Sequence, residues 1–252
     1  MILNRIESGD GPPVVLLHGL FGSARNFGAV QRALSPLFRV VALDARNHGA
    51  SPHAAGMRYN DLAADVLESI GPAPVALIGH SMGGKTAMTA AALAPERAGR
   101  LLIADIAPVT YHHGNGSVAA AMRAIPLTAD LTRATAEAAL AAAVHVAAVR
   151  AFLIQNLQFG PRPYWRIGLD EIAAAIPDLE GWETPQGIYP GPALFVSGAR
   201  SDYVLPEHRP AIRALCPAAR FVSVKNAGHW LHADNPAGFL SVVEAFLRDW
   251  KG

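Results

Sequence analysis

The sequence predicts an α/β protein: a mostly parallel central sheet flanked by helices and broken once by a helical insertion. Three features carry this expectation. Apolar runs at 14–17, 75–78 and 101–104 are continuous rather than alternating, as strands buried on both faces require. They alternate with stretches of helical apolar periodicity, the order in which crossover helices join parallel strands. The rhythm lapses once, over residues 108–192, where alanine-rich helical stretches replace it.

Ile2, Leu3 and Ile6 read as a short edge strand, and Gly9-Asp10-Gly11-Pro12-Pro13 turns the chain into the 14–17 strand. That strand ends at His18-Gly19-Leu20-Phe21-Gly22-Ser23. Ser23 is placed to cap a helix with Phe27, Val30, Ala33 and Leu34 on one side. The strand Arg39–Leu43 stops at Asp44-Ala45-Arg46-Asn47-His48-Gly49-Ala50-Ser51. With no nucleophile beside them, Asp44, Arg46 and His48 read as braces between loops. Asn60 stands where a cap is needed for a helix carrying Leu62, Val66, Leu67 and Ile70, closed by Gly71-Pro72. The 75–78 strand breaks into Gly79-His80-Ser81-Met82-Gly83-Gly84, and an alanine-rich helix runs on to Pro95. Further strands at 101–104, 194–196 and 221–224 follow. A helix from Pro236 places Phe239, Val243, Phe246 and Trp250 on one core face.

With 252 residues, 51% of them apolar, the chain can bury a large core, and one domain with an insertion fits it. Residues 1–107 and 193–252 form the core. Residues 108–192 form the insertion, helical over 116–125 and 132–157 and then rich in proline and aromatics. An insertion that leaves and returns at one sheet edge reads as a cap. Met122, Phe152, Phe159, Tyr164 and Trp165 are its candidates for lining a pocket. A net charge of +1, with acids and bases mixed, lacks the basic footprint that nucleic acid requires. The lone Cys216 excludes an intramolecular disulfide and a four-cysteine zinc site, and fits a reducing compartment. No leader pattern precedes Arg5 and Glu7, and no apolar span is long enough to cross a membrane, so a cytoplasmic protein is expected. His112 and His113, at the start of the insertion, have no carboxylate or cysteine at ligand spacing, so no metal site is expected there. Oligomeric state has no signature in these residues.

Chemistry concentrates at the 79–84 break, which matches G-x-S-x-G between an apolar strand and a helix. Ser81 is the expected nucleophile. The Met82 N–H would aim at an oxyanion formed there, and the Leu20 N–H would supply a second donor, with Phe21 the neighbouring alternative. A serine hydroxyl is a poor nucleophile unless an imidazole takes its proton, and that imidazole needs a carboxylate to fix its tautomer. His229, after the last strand in Lys225-Asn226-Ala227-Gly228-His229, is the expected base, and His232 reads as structural. Two carboxylates leave strands at the same edge: Asp105 after the 101–104 strand and Asp202 in Ser197-Gly198-Ala199-Arg200-Ser201-Asp202. Such a triad needs no metal or organic cofactor.

The order Ser, Asp, His is that of the α/β-hydrolase superfamily, which the chain resembles over essentially its whole length. The blocks His18-Gly19-Leu20-Phe21-Gly22-Ser23, Asp44-Ala45-Arg46-Asn47-His48-Gly49 and Gly79-His80-Ser81-Met82-Gly83-Gly84-Lys85 together are similar to those of YbfF-type bacterial esterases and their mitochondrial relatives. The resemblance implies hydrolysis of small-molecule carboxylic esters with short to medium acyl chains, acyl thioesters being a further candidate. It implies Ser81 as nucleophile, His229 as base and Asp105 as acid. Many other members carry the acid one strand later, which makes Asp202 the alternative. C–C bond hydrolysis, cofactor-free perhydrolysis and ligand binding with little turnover are the other readings of the same residues.

Overall fold

The computed structural model describes every residue, Met1–Gly252. Strands β1 (Arg5–Ser8), β2 (Pro13–Leu17), β3 (Arg39–Leu43), β4 (Val75–His80) and β5 (Ala98–Ala104) enclose helices α1 (Gly28–Leu34), α2 (Tyr59–Ile70) and α3 (Met82–Leu93). Then come α4 (Asn115–Arg123), α5 (Arg133–Leu140), α6 (Ala147–Ile154), a small hairpin β6 (Leu157–Gln158) and β7 (Tyr164–Trp165), and α7 (Leu169–Glu180). The chain closes with β8 (Ala193–Gly198), α8 (Arg209–Leu215), β9 (Ala219–Val224), α9 (Leu231–Asp234) and α10 (Pro236–Leu247).

The large sheet has the order β1-β3-β2-β4-β5-β8-β9, parallel throughout except for β1, which runs antiparallel to β3 at one edge. Alternate side chains build two separate cores. Val15, Leu17, Val41, Leu77, Leu101 and Ile103 pack with Ala63 and Val66 of α2 and with Ala87, Met88 and Ala91 of α3. Val14, Leu16, Val40, Ile78 and Leu102 pack instead with Val30 and Leu34 of α1 and with Phe239, Val243 and Leu247 of α10. Because β2, β4, β5, β8 and β9 are all parallel, their carboxyl ends meet at one edge, with β4 at the centre. A third core lies under the inserted helices, where Met122, Leu153, Ile172 and Ile176 bury Phe21 and Met82. The insertion is thereby packed onto the loop that follows β2 and onto the start of α3.

Three local expectations change. The 132–157 helical stretch is broken: α5 ends at Leu140 and α6 begins at Ala147, and residue 157 belongs to β6. The Arg150 guanidinium stabilises the break by donating to the freed carbonyls of Val144 (2.8 Å) and His145 (2.9 Å). Asn60 lies inside α2. Arg58 is its N-cap, and Asp61 reaches back to accept the Arg58 N–H at 3.2 Å. α7 occupies the proline- and aromatic-rich piece, where Pro177 conceals a pattern of Leu169, Ile172, Ile176 and Leu179 at helical spacing. Pro177 removes one donor from the ladder, a local penalty that burial of Leu169, Ile172, Ile176 and Leu179 outweighs.

Candidate active site

Ser81 joins β4 to α3 with φ 53° and ψ −121°, a strained conformation for a residue bearing a Cβ. The glycines on either side make this turn possible. A Cβ on Gly79 would lie 2.2 Å from the Gly83 carbonyl oxygen, and one on Gly83 would lie 2.2 Å from that of Leu17. The hydroxyl of Ser81 makes no hydrogen bond within the protein. It lines a cavity of about 590 Å³ together with Leu20, Tyr203 and His229.

His229 follows β9, where the Gly228 N–H donates to Asp234 at 2.7 Å and the His229 carbonyl accepts from His80 Nε2 at 2.8 Å. Its Nδ1 stands 2.9 Å from Asp105 Oδ2. Asp105, directly after β5, is fully buried and has φ 54°. Its Oδ1 accepts the Gly198 N–H at 3.0 Å, and its Oδ2 also accepts the Ser201 hydroxyl. Asp202 is exposed and makes no hydrogen bond to His229. The structure therefore brings Asp105, and not Asp202, to the imidazole.

The amides sort themselves in the same way. The Phe21 N–H, at a residue with φ 59°, is already donated to His48 Nε2 at 3.1 Å. The N–H groups of Leu20 and Met82 donate to nothing in the protein. His48 is held as an acceptor because its Nδ1 faces the Arg46 carbonyl at 2.9 Å, and burial beside His18 pushes its pKa down to about 3. Asp44 accepts the amides of Ala24 (2.7 Å) and Ala50 (2.9 Å), while Arg46 pairs with Asp65. These polar residues tie the loops after β2 and β3 to each other and to α2.

Burial also keeps the surrounding imidazoles neutral. His80 is pushed well below the ordinary histidine value, with His229 and His232 adding to the effect, and His232 is pushed down to about 4. His232 packs against Phe27 and His80 and is no partner of Asp105. Of the insertion's candidates, Phe152 lines the cavity, Met122 is fully buried, and Phe159, Tyr164 and Trp165 lie elsewhere.

Three residues near the site had no role in the sequence reading. Ser201 completes the partners of Asp105, and its only sequence signal is a hydroxyl in the loop leaving β8. Tyr203 lies two residues further on, against His229. Lys85, one turn into α3 and buried, donates from Nζ to the carbonyls of Glu180 (3.2 Å) and Gly181 (2.6 Å) at the end of α7. Burial pushes its pKa down to about 7, against the opposing pull of Glu180.

Residues 12–236 match the family model of the alpha/beta hydrolase fold. The chain is 40% identical to the mouse (Mus musculus) sn-1-specific diacylglycerol lipase ABHD11, over 94% of its own length and 81% of that protein's. It is 35% identical to Esterase YbfF of Escherichia coli, covering 95% of this chain and 94% of that one. Among solved structures, a marine microorganism esterase superposes with a TM-score of 0.94 at 35% identity, covering 98% and 99% of the two chains.

Proposed function

The chain belongs to the alpha/beta hydrolase family and is an ester hydrolase, and from that premise we propose that it cleaves carboxylic esters through an acyl-serine intermediate. Ser81 Oγ attacks the ester carbonyl while His229 Nε2 takes its proton. Asp105 holds Nδ1–H and stabilises the imidazolium. The N–H groups of Leu20 and Met82 receive the oxyanion, His229 passes the proton to the departing alcohol, and water repeats the cycle on the acyl-enzyme. The observation that carries this reading is the 2.9 Å contact between His229 Nδ1 and Asp105 Oδ2, beside a strained Ser81 in a single cavity.

Residues 108–192 act as the cap in this reading, and the bond of Lys85 to the end of α7 fastens that cap to the nucleophile's helix. Val149, Phe152 and Leu153 supply an apolar wall for the acyl chain. A cavity of about 590 Å³ suits short to medium chains, with acyl thioesters as candidate substrates of the same chemistry.

The test is turnover of p-nitrophenyl esters and CoA thioesters across acyl lengths, compared with Ser81→Ala. Activity should peak at short to medium chains and vanish in the variant. Undiminished hydrolysis by Ser81→Ala would overturn the acyl-serine route. Labelling of Ser81 by a fluorophosphonate with no turnover on any ester would point to a ligand-binding protein instead.

A further inference from the structure

Tyr203 stands in the loop after β8 with its ring stacked on the His229 imidazole, centroids 3.7 Å apart and planes 19° from parallel. The ring of His113, from the start of the insertion, stacks on Tyr203 at 4.1 Å and 22°. Two rings that close cannot share one face, so Tyr203 is held between them. Its backbone is pinned as well. The Tyr203 N–H donates to Ser201 Oγ at 3.3 Å, and the Tyr203 carbonyl accepts the Tyr111 hydroxyl at 2.6 Å. Ser201 in turn donates to Asp105, so the loop that places this ring is tied to the carboxylate that orients His229.

Resting on the serine-esterase reading above, we propose that Tyr203 is a positioning residue whose ring face keeps the His229 imidazole in line with Asp105 and stabilises the imidazolium formed as Ser81 gives up its proton. A cation gains from lying over an aromatic face, and the gain grows where water is excluded. Charge appears on His229 only after proton transfer, so this contact favours the transition state over the ground state. The other groups facing His229 act differently. Asp105 stabilises the same charge from the ring edge at Nδ1, and the neutral His80 ring from β4 is tilted by 43° at 4.7 Å. His232 from α9 is buried and neutral, and Trp230 presents its ring at a steep 68°, so Tyr203 alone lies face to face with the imidazole. Asp202, beside Tyr203, is exposed, and burial lowers the pKa of His113. Burial and the nearby carboxylates push the Tyr203 hydroxyl up to about 12, so the ring stays neutral at working pH.

The experiment is the pH profile of kcat/KM and kcat on p-nitrophenyl acetate for the wild-type chain, Tyr203→Leu and Tyr203→Phe. Leucine keeps an apolar cover without a π face. Tyr203→Leu should lose roughly tenfold in kcat with KM little changed, and its acid limb should move to lower pH by up to about one unit. Tyr203→Phe should recover most of that loss. A Tyr203→Leu profile superimposable on wild type, or a Tyr203→Phe loss equal to it, would overturn the proposal. If Tyr203→Leu does not fold, phenylalanines of increasing ring fluorination at position 203 provide the test. Activity should fall stepwise with fluorination, and a flat series would overturn the proposal. Ser81→Ala measured alongside separates the two readings, because activity surviving in that variant defeats the serine-esterase reading itself.

Discussion

His48 Nε2 accepts the Phe21 N–H at 3.1 Å, and this bond decides which of two adjacent amides in the loop after β2 is left without a partner, the one that the proposed mechanism assigns to the oxyanion. Phe21 is occupied and Leu20 is free. A histidine in the loop after β3 thus sets the donor geometry of a different loop, at a residue whose positive φ needs support.

Replacing His48 by leucine should therefore release Phe21 and misplace Leu20. A shift on the order of 1 Å at a reacting centre is worth about 10² in rate, so His48→Leu should fall by about that factor in kcat with Ser81 still present. His48→Gln, which retains an acceptor oxygen, should fall less. Steady-state kinetics on a p-nitrophenyl ester checks both, and equal activity in His48→Leu and wild type would sever His48 from the oxyanion loop.

The two acidic candidates separate by magnitude. Asp105→Asn keeps the shape of the carboxyl group but favours the wrong imidazole tautomer, and should lower kcat by about 10⁴. Asp202→Asn, at an exposed side chain, should stay within a few-fold of wild type. Ser201→Ala removes one hydrogen bond to the buried carboxylate and should lower kcat roughly tenfold. Near-normal turnover in Asp105→Asn would defeat the assignment of Asp105 as acid.

Gly83→Ala tests the turn itself. The added methyl carbon would meet the Leu17 carbonyl oxygen at 2.2 Å, and that oxygen belongs to a central strand that cannot give way. The substitution should cost about 3 kcal/mol or more, or prevent folding, as urea denaturation would show. A variant as stable as wild type would mean that the elbow is not packed this tightly.

Stability should decline as the solution is acidified. His18, His48, His80 and His232 all have folded-state pKa values below the ordinary 6.5, reaching about 3 for His48 and about 4 for His232. Below pH 6.5 the unfolded chain takes up protons that the folded chain refuses, so unfolding is favoured. Each such imidazole should remove about 1.4 kcal/mol per pH unit between 6.5 and its own folded value, while above 6.5 the effect is absent. Urea midpoints at pH 7, 6 and 5 should fall progressively, and less steeply in His232→Phe. Equal midpoints across that range would contradict the buried, neutral state of these rings.

What contiguous residues determine was legible in the sequence. The continuous apolar runs mark the buried strands, and the Gly79-His80-Ser81-Met82-Gly83 turn and the order of serine, aspartate and histidine along the chain could be read directly, with Asp105 and Asp202 both open as the aspartate. Each depends on spacing within a few residues or on chain order. The helices of the insertion were legible only in part, because the alanine run over 132–157 has helical propensity throughout while its break depends on Arg150 reaching back to Val144 and His145. Pro177 hid α7 for a similar reason, since burial of one face of the helix outweighs a local penalty near its end.

Relations across the sheet were decided by the tertiary structure alone. Asp105 and Asp202 both leave strands at the carboxyl edge, and β5 and β8 are neighbours, so no local property separates them. The backbone of Asp105, at φ 54°, turns its carboxylate into a buried site already furnished by Gly198 and Ser201, while Asp202 remains in solvent. Leu20 and Phe21 are likewise adjacent in the chain, and it is His48 from another loop that tells them apart. The sequence determined which chemical groups reach the edge. The packing of distant loops decided which of them touch, because hydrogen bonds and ring stacks depend on distances that only the folded chain sets.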